Sequence, residues 1–290
     1  MSNVLAEHGR LARVLVKHAR EAFVSDEVIA EQWKSLNFSA PPDFARALGE
    51  YDAFLELLSN SGADVVSLPR SENVTLDSIY TRDASIVGAH GVILASMGKP
   101  QRAAEPEVQE RELRRLGAPI AGMLHPPAKI EGGDFVWLSS TVFAVGLGAR
   151  TNPIGIRQLR VFLGDTFDDV VVVPLPEYPG QHDVMHLMSL ISPVDRDLAV
   201  VYSRLLPEMF RRKLHDLGYR LVDVPDDEFD SMGTNVLALG PRDCVMLDGN
   251  PRTRAALERA GARVQVYEGR EISLKGGGGP TCLTRPLVRQ

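Results

Sequence analysis

The sequence predicts an α/β fold assembled from repeated units, and three observations carry that reading. Five times an amphipathic helical pattern ends at a glycine and runs into a short β-rich segment. The glycines are Gly62 before ADVVSLP, Gly117 before APIAGML, Gly164 before DTFDDVVVVPLP, Gly218 before YRLVDVP and Gly261 before ARVQVY. Glycine just past a helix accepts the left-handed conformation that ends it. Paired strand-like segments lie between the helices: SIYTRDASIV with GVILAS, FVWL with TVFAVGL, and NVLALG with CVMLDG. Each unit therefore reads strand, strand, helix, strand. The glycine stops also recur at a loose period of roughly 50 residues, a spacing found in solenoids and propellers. A doubly wound sheet alternates helix and strand as well, and periodicity alone leaves both architectures open.

The elements follow in order. MSNVLAEHGRLARVLVKHAREAF mixes acids and bases on a helical pattern, and without an uninterrupted apolar stretch it is not expected to be a signal peptide. In PPDFARALGEYDAFLELL, Phe44, Leu48, Tyr51, Phe54 and Leu58 share one helix face, and a proline opens the turn before it. LPEMFRRKLHDLG and NPRTRAALERAG repeat the pattern with charged residues on the other face. No linker rich in Pro, Gly and Ser divides the chain, so one domain is expected.

Composition narrows the function classes. Hydrophobic residues make up 44% and charged residues 24% of the 290 positions, ordinary values for a chain that buries a core. A net charge of −6 offers no basic field to nucleic acid. The longest apolar runs, such as Val170 to Pro174, fall far short of a bilayer span. Neither nucleic acid nor a membrane is an expected partner. Two cysteines supply neither a disulfide framework nor a CxxC zinc site, and they point to a reducing, cytoplasmic setting.

Chemistry is expected where polar groups interrupt apolar strands, because a buried charge needs a partner or a purpose. In TLDSIYTRDASIV, Asp77 and Asp83 would face the same side of a strand. Two carboxylates on one face suit a metal or a guanidinium; the plainer reading pairs Arg82 with an acid elsewhere. KIEGGDFVWL places Glu131 and Asp134 around two glycines, which admit a ligand close to the backbone but also fit a hairpin turn. In GLGARTN, Asn152 and Pro153 cap and open a helix, which leaves Arg150 to grip a carboxylate or to sit in solvent. HDVMHLMSLI holds His182 and His186. The latter is flanked by Met185, Leu187 and Met188, and a lone buried histidine is more often a core residue than a catalyst. Cys244, in DCVMLDG, reads as a small core hydrophobe. Cys282 follows KGGGGPT, and four consecutive glycines cost enough conformational entropy to require a reason. Their N–H groups would stabilise negative charge. A thiolate nucleophile there needs an acid/base partner, for which His186 is the best candidate.

Taken in order, the motifs TRD, EGGD, RTN, HL and GGGGPTC resemble the guanidino-group-modifying hydrolases. That superfamily includes arginine deiminase, dimethylarginine dimethylaminohydrolase and the amidinotransferases. The resemblance runs from about Asp77 to the C-terminus. Residues 1–40 match less clearly and are expected to be an N-terminal helical addition to a single catalytic domain spanning 1–290. What the resemblance implies is a five-bladed, pseudo-symmetric α/β propeller of ββαβ units around a polar pit, with no metal and no cofactor. It also implies roles. Cys282 would attack the guanidinium carbon. His186 would protonate the departing amine and then activate water. Glu131 would orient and charge-balance His186. Asp83, with Asp77, would hold the guanidinium nitrogens, and Asp134 is placed with them on the substrate side. Arg102, in GKPQR, and Arg150 would bind the α-carboxylate. The glycines would let Cys282 reach into the pit and leave space for substrate.

Met188 stands where arginine deiminases carry the aspartate of a His-Leu-Asp motif, and no helical insertion typical of the larger deiminases is evident. Both features resemble the dimethylarginine hydrolases, which convert N-methylated arginine and water to citrulline and methylamine or dimethylamine. The GGGGPTC ending leans toward arginine deiminase. Arg82 also stands where the dimethylarginine enzymes often have an acid. The alternatives are an arginine deiminase or dihydrolase, an amidinotransferase, and a non-catalytic arginine-binding protein. The expected partner is a small guanidino amino acid. A homodimer would use an exposed propeller edge or the N-terminal helix.

Overall fold

Each glycine stop behaves as its position predicts. Gly62, Gly117, Gly164, Gly218 and Gly261 lie at φ of 83°, 68°, 59°, 86° and 90°, and each turns the chain from a helix back toward a strand. The structure, a computed structural model, describes residues 5–177 and 185–290. Within them the strands form five three-stranded sheets.

The chain opens with β1 (Leu11–Val16), two short helices α1 (Ala19–Ala22) and α2 (Asp26–Gln32), the long α3 (Phe44–Asn60) and β2 (Asp64–Ser67). The second unit is β3 (Ser85–Gly88), β4 (Gly91–Leu94), α4 (Glu105–Arg115) and β5 (Ile120–Met123). The third is β6 (Phe135–Trp137), β7 (Val142–Leu147), α5 (Pro153–Leu163) and β8 (Asp169–Pro174). The fourth is β9 (Ile191–Asp195), β10 (Leu198–Val201), α6 (Glu208–Asp216) and β11 (Arg220–Asp223). After the short α7 (Asp226–Phe229), the fifth is β12 (Val236–Gly240), β13 (Asp243–Leu247), α8 (Pro251–Arg259) and β14 (Arg263–Tyr267). Finally β15 (Thr284–Arg289) returns to pair antiparallel with β1.

In each of units two to five, the first two strands pair antiparallel and the third lies parallel to the second. A parallel pair needs a long crossover, and the helix between second and third strands supplies it. The remaining sheet, ordered β15-β1-β2, has the same geometry assembled from both ends of the chain. Middle strands such as β10 and β7 are buried nearly throughout, whereas the third strands β2 and β5 are half-exposed. The apolar cores therefore lie around the first two strands and under the helices. Phe210 and Leu214 of α6 and Leu257 of α8 share one such cluster, and Tyr51, Phe54 and Leu58 of α3 anchor another.

Contacts between sheets close a ring. β15 meets β3, Ser96 bridges to Ile130, β6 meets the turn Leu187–Ser189, β9 meets β12, and β12 meets β1. This is the expected five-bladed α/β propeller of ββαβ units. No helix among the described residues is long and apolar enough to cross a membrane.

Two expectations are corrected. Residues 1–40 are not a helical addition, because Leu11–Val16 is the middle strand of a blade. Leu11, Val14, Leu15 and Val16 are fully buried there, and hydrogen bonding to β15 on one side and β2 on the other outweighs the helical pattern of charges. Nor does TLDSIYTRDASIV form one strand. Leu76–Ile79 is a 3-10 turn and only Ser85–Gly88 is extended. Side chains compete for the backbone here: Ser78 Oγ donates to Thr75 O at 2.7 Å, and Gln32 Oε1 accepts from Leu76 N at 3.1 Å. Asp77 and Asp83 thus share no strand face.

Candidate active site

The segment entering the first strand of every blade brings a polar residue to one place. Asp83 precedes β3, Glu131 and Asp134 precede β6, His186 precedes β9, Asn235 precedes β12, and Cys282 precedes β15. Five-fold repetition of the blade turns residues distant in sequence into neighbours in space.

EGGD is a 3-10 turn rather than a hairpin, Gly132–Asp134 in extent, and close approach explains its glycines. A Cβ on Gly133 would lie 2.7 Å from Asp83 Oδ1 and 2.9 Å from the His186 ring. Gly133 N instead donates to Asp83 Oδ1 at 3.0 Å. His186 Nε2 bonds Glu131 Oε2 at 2.7 Å. Glu131 is fully buried and otherwise surrounded by donors: Gly98 N at 2.9 Å, Lys99 N at 3.1 Å, and Arg150 Nη1 at 3.2 Å from both oxygens. Burial would raise the Glu131 pKa, but His186, Arg102 and Arg150 together hold it well below the usual carboxylate range. The reciprocal effect acts on His186. Burial opposes its charge, yet Asp83, Asp134 and Glu131 raise its pKa to about 10. At neutral pH His186 is an imidazolium, a proton donor held by a carboxylate.

Cys282 is partly buried. Asn235 Nδ2 lies 3.5 Å from Sγ, and Asn235 Oδ1 accepts from Thr281 N and Oγ1 at 3.0 and 2.9 Å. Those two bonds orient the amide so that its donor faces the sulfur. Burial, then the Asp83 charge, raise the thiol pKa, against the lowering influence of His186, Asn235 and Thr281. Cys244, by contrast, is wholly buried in the apolar core and burial pushes its thiol to about 12, as expected of a core hydrophobe.

The glycine run is close-packed rather than open. A Cβ on Gly276 would meet Tyr80 Oη at 2.1 Å, one on Gly278 the Tyr80 ring at 2.4 Å, and one on Gly279 the Asn235 amide at 2.5 Å. Gly277 takes φ of 81°. Gly277 N and Gly278 N both donate to Ser273 O, at 2.8 and 3.2 Å. The run therefore seats Cys282 against Asn235. It neither leaves its space to substrate nor offers those two N–H groups to an anion.

Three further assignments change. Asp134 is buried and accepts from Thr151 Oγ1 at 2.6 Å and Leu187 N at 3.0 Å, so it positions the His186 segment instead of facing substrate. Its burial raises its pKa to about 6. Asp77 pairs with Lys99 Nζ at 2.8 Å. Arg102 is buried against Glu105, with Nε and Nη2 donating at 2.8 Å each, against Asp83 Oδ2 at 2.5 Å through Nη1, and against Tyr80 O at 2.9 Å. It is committed to the chain's own carboxylates. Arg82 makes the plainer ion pair foreseen for it, with Glu7 at 3.2 Å. His182 lies outside the described residues.

Asp83, Glu131 and His186 each present a ligand atom within 4.8 Å of the others. Arg102 pairs with Asp83 and Arg150 with Glu131 in the same cluster. The arrangement is that of an ion-pair network facing a thiol. Sequence reasoning missed Asn235, Thr151, Glu105 and Lys99. Glu105 was legible as the i+3 partner of Arg102, and Thr151 lay inside a motif already singled out; Asn235 carried no signal beyond preceding a strand.

The family model described as arginine deiminase matches residues 76–224 and 205–289. The chain belongs to the arginine deiminase family. It is accordingly a guanidino-group-modifying enzyme of the pentein superfamily, whose members share the five-bladed architecture. The chain is 26% identical over 277 residues to N(G),N(G)-dimethylarginine dimethylaminohydrolase of Streptomyces coelicolor, covering 95% of this chain and 92% of that one. It is 29% identical over 247 residues to arginine deiminase of Rhodococcus opacus, but there it covers 73% of this chain and spans 60% of the deiminase. A dimethylarginine dimethylaminohydrolase structure from Pseudomonas aeruginosa, a cysteine-to-serine variant complexed with citrulline, superposes with TM-score 0.77. That likeness has 22% identity and covers 97% of this chain and 100% of the other.

Proposed function

We propose that this enzyme hydrolyses N-methylated arginine to citrulline and methylamine or dimethylamine through a covalent Cys282 intermediate. The observation that carries the reading is the pairing of a partly buried thiol with a charged His186–Glu131 couple beside the Asp83 carboxylate. Cys282 Sγ attacks the guanidino carbon. The bond from that carbon to the methylated nitrogen breaks as His186 delivers its proton to the leaving amine. Neutral His186 then takes a proton from water, which adds to the carbon of the S-alkyl thiouronium, and the C–S bond breaks to free citrulline. Burial and Asp83 hold the resting thiol protonated. A guanidinium lying against Asp83 supplies positive charge that opposes both effects, so substrate itself promotes the thiolate, whose proton passes to solvent before attack and which is regenerated when the C–S bond breaks.

Arg102 holds Asp83 in place. Arg150, in the GLGARTN motif and donating to Glu131 at 3.2 Å, is assigned to the substrate α-carboxylate on the family resemblance of that motif. The absence of an acid at Met188, where arginine deiminases carry one, supports a methylated nitrogen. The relative that covers nearly all of this chain and is named for dimethylarginine supports it too.

The test is a product assay on purified enzyme with arginine, monomethylarginine and asymmetric dimethylarginine, beside Cys282→Ser. Citrulline with methylamine or dimethylamine from the methylated substrates, little product from arginine and none from the variant is the expected result. Citrulline or ornithine with ammonia from arginine would overturn the substrate assignment in favour of a deiminase or dihydrolase.

A further inference from the structure

Arg82 is among the largest fully buried side chains, at 1% exposure, yet no step at Cys282 uses its charge. A buried guanidinium is costly, and an apolar side chain of similar volume is often no less stable in its place. Its hydrogen bonds show what the side chain serves. Arg82 N donates to Cys282 O at 3.1 Å. Arg82 Nε donates to Thr281 O, also at 3.1 Å, and Nη1 to Glu7 Oε2 at 3.2 Å. Arg82 O in turn accepts from Arg285 Nη2.

Thr281 O belongs to the peptide entering Cys282 and Cys282 O to the peptide leaving it. One residue therefore bonds the carbonyls on both sides of the Cys282 Cα. Because each peptide is planar, this fixes the two dihedrals between them and with them the direction in which Cβ and Sγ project. Asn235 holds the same segment from Thr281 N and Oγ1. Arg82 is also joined covalently to Asp83, whose main-chain O accepts from Gly132 N at 2.9 Å. A Cβ on Gly132 would lie 2.2 Å from Arg82 O, so the first glycine of EGGD lets that turn close on the Arg82 peptide. The nucleophile and the guanidinium-holding carboxylate are thus set against each other through one residue. Glu7 supplies the counter-charge: burial would raise its pKa, but Arg82, Arg289 and Arg285 hold it below the ordinary carboxylate value.

We propose that Arg82 is a positioning residue for the nucleophile. Its Nε bond to Thr281 O, beside the backbone bond to Cys282 O, sets the register between Cys282 Sγ and the guanidino carbon of a substrate held by Asp83. What that register serves rests on the hydrolysis proposed for Cys282. Loss of the side-chain bond frees the Thr281–Cys282 peptide to rotate, which turns the sulfur away from the carbon it attacks while Asp83 and Arg150 still hold the substrate.

Arg82→Met removes the donors at similar volume, and Glu7 keeps Arg285 and Arg289 as counter-charges, so the variant should still melt cooperatively. With the substrate that the product assay identifies, kcat should fall at least about tenfold while KM stays within about twofold. The pH profile of Cys282 alkylation by iodoacetamide gives a second readout that needs no guanidino substrate. Burial and Asp83 raise that thiol in the parent protein, and its midpoint should move toward the ordinary value of about 8.5 in the variant. Arg82→Lys keeps the charge facing Glu7 and so guards against a folding defect. One ammonium cannot serve Thr281 O and Glu7 in the directions of the fork, and the same two changes are expected. Glu7→Gln keeps an acceptor for Nη1 and leaves Nε on Thr281 O; it should lower Tm yet hold kcat within about twofold. An unchanged kcat and an unchanged alkylation midpoint in both Arg82 variants would overturn the proposal. So would an equal loss of kcat in Glu7→Gln, which would reduce the effect to destabilisation of the cluster. A parent protein inactive on every guanidino substrate would overturn the substrate reading alone, and the alkylation profiles would then decide the role of Arg82.

Discussion

Taken alone, burial would strip the proton from His186; instead three carboxylates hold it, and the resulting pKa of about 10 makes a testable linkage. A group whose folded-state pKa is raised contributes stability fully below its ordinary value near 6.5, and that contribution is lost as pH rises toward 10. Stability should therefore fall over that window. Replacing Glu131 by Gln removes the negative charge that faces His186 Nε2 at 2.7 Å, so the imidazole should titrate markedly nearer its ordinary value. NMR titration of the His186 ring, assigned by its disappearance in His186→Gln, checks this. An unchanged midpoint in Glu131→Gln would mean the carboxylate does not tune the histidine. Asn235 is tested at the same scale. A hydrogen bond to a charged group is worth about 1.5–3 kcal/mol, so Asn235→Ala should lower kcat by roughly 10- to 100-fold.

At the scale of elements, glycines of two kinds should respond oppositely. Gly218 ends α6 at φ of 86° with nothing within 4 Å of where a Cβ would sit. Gly218→Ala should cost about 1 kcal/mol of stability, through backbone strain alone, and leave kcat unchanged. Gly133→Ala would drive a methyl into Asp83 and His186 and should abolish turnover. Thermal melts beside steady-state kinetics separate the two. The first kind was legible in the sequence, because a helix stop is a local event. Asn152 likewise caps α5 as read, accepting from Gly155 N at 2.8 Å. The second kind was not, because what crowds Gly133, Gly276 or Gly278 comes from other blades. For the same reason Asp134 and Arg102 read as substrate ligands. Their partners Thr151, Leu187 and Asp83 arrive through tertiary packing, and no local spacing announces them.

For the whole molecule, blade repetition places the chemistry. Each blade has its own helix and three strands, and the segment before its first strand delivers polar side chains to the common site. The first blade is the exception that ties the ends together: β1 supplies its middle strand while β15, directly after Cys282, supplies its first. Deleting residues 1–16 should therefore prevent folding, read as loss of soluble protein and of a cooperative melt. A stable, active product would restore the view of that segment as an addition. The repeat was visible in the five glycine stops, but they suited a doubly wound sheet as well, and the motif resemblance was what implied the propeller. The strand character of LARVLV was hidden because six residues with interspersed arginines satisfy helical spacing as well as they satisfy a strand that is paired on both edges.

The central claim is covalent chemistry at Cys282, and trapping the intermediate tests it most directly. Enzyme turning over asymmetric dimethylarginine should be quenched in acid, and its intact mass and Cys282 peptide measured. The account predicts an adduct on Cys282 equal to the substrate less dimethylamine, absent from Cys282→Ser. Turnover with no adduct at Cys282, or product formed at a near-normal rate by Cys282→Ser, would contradict it.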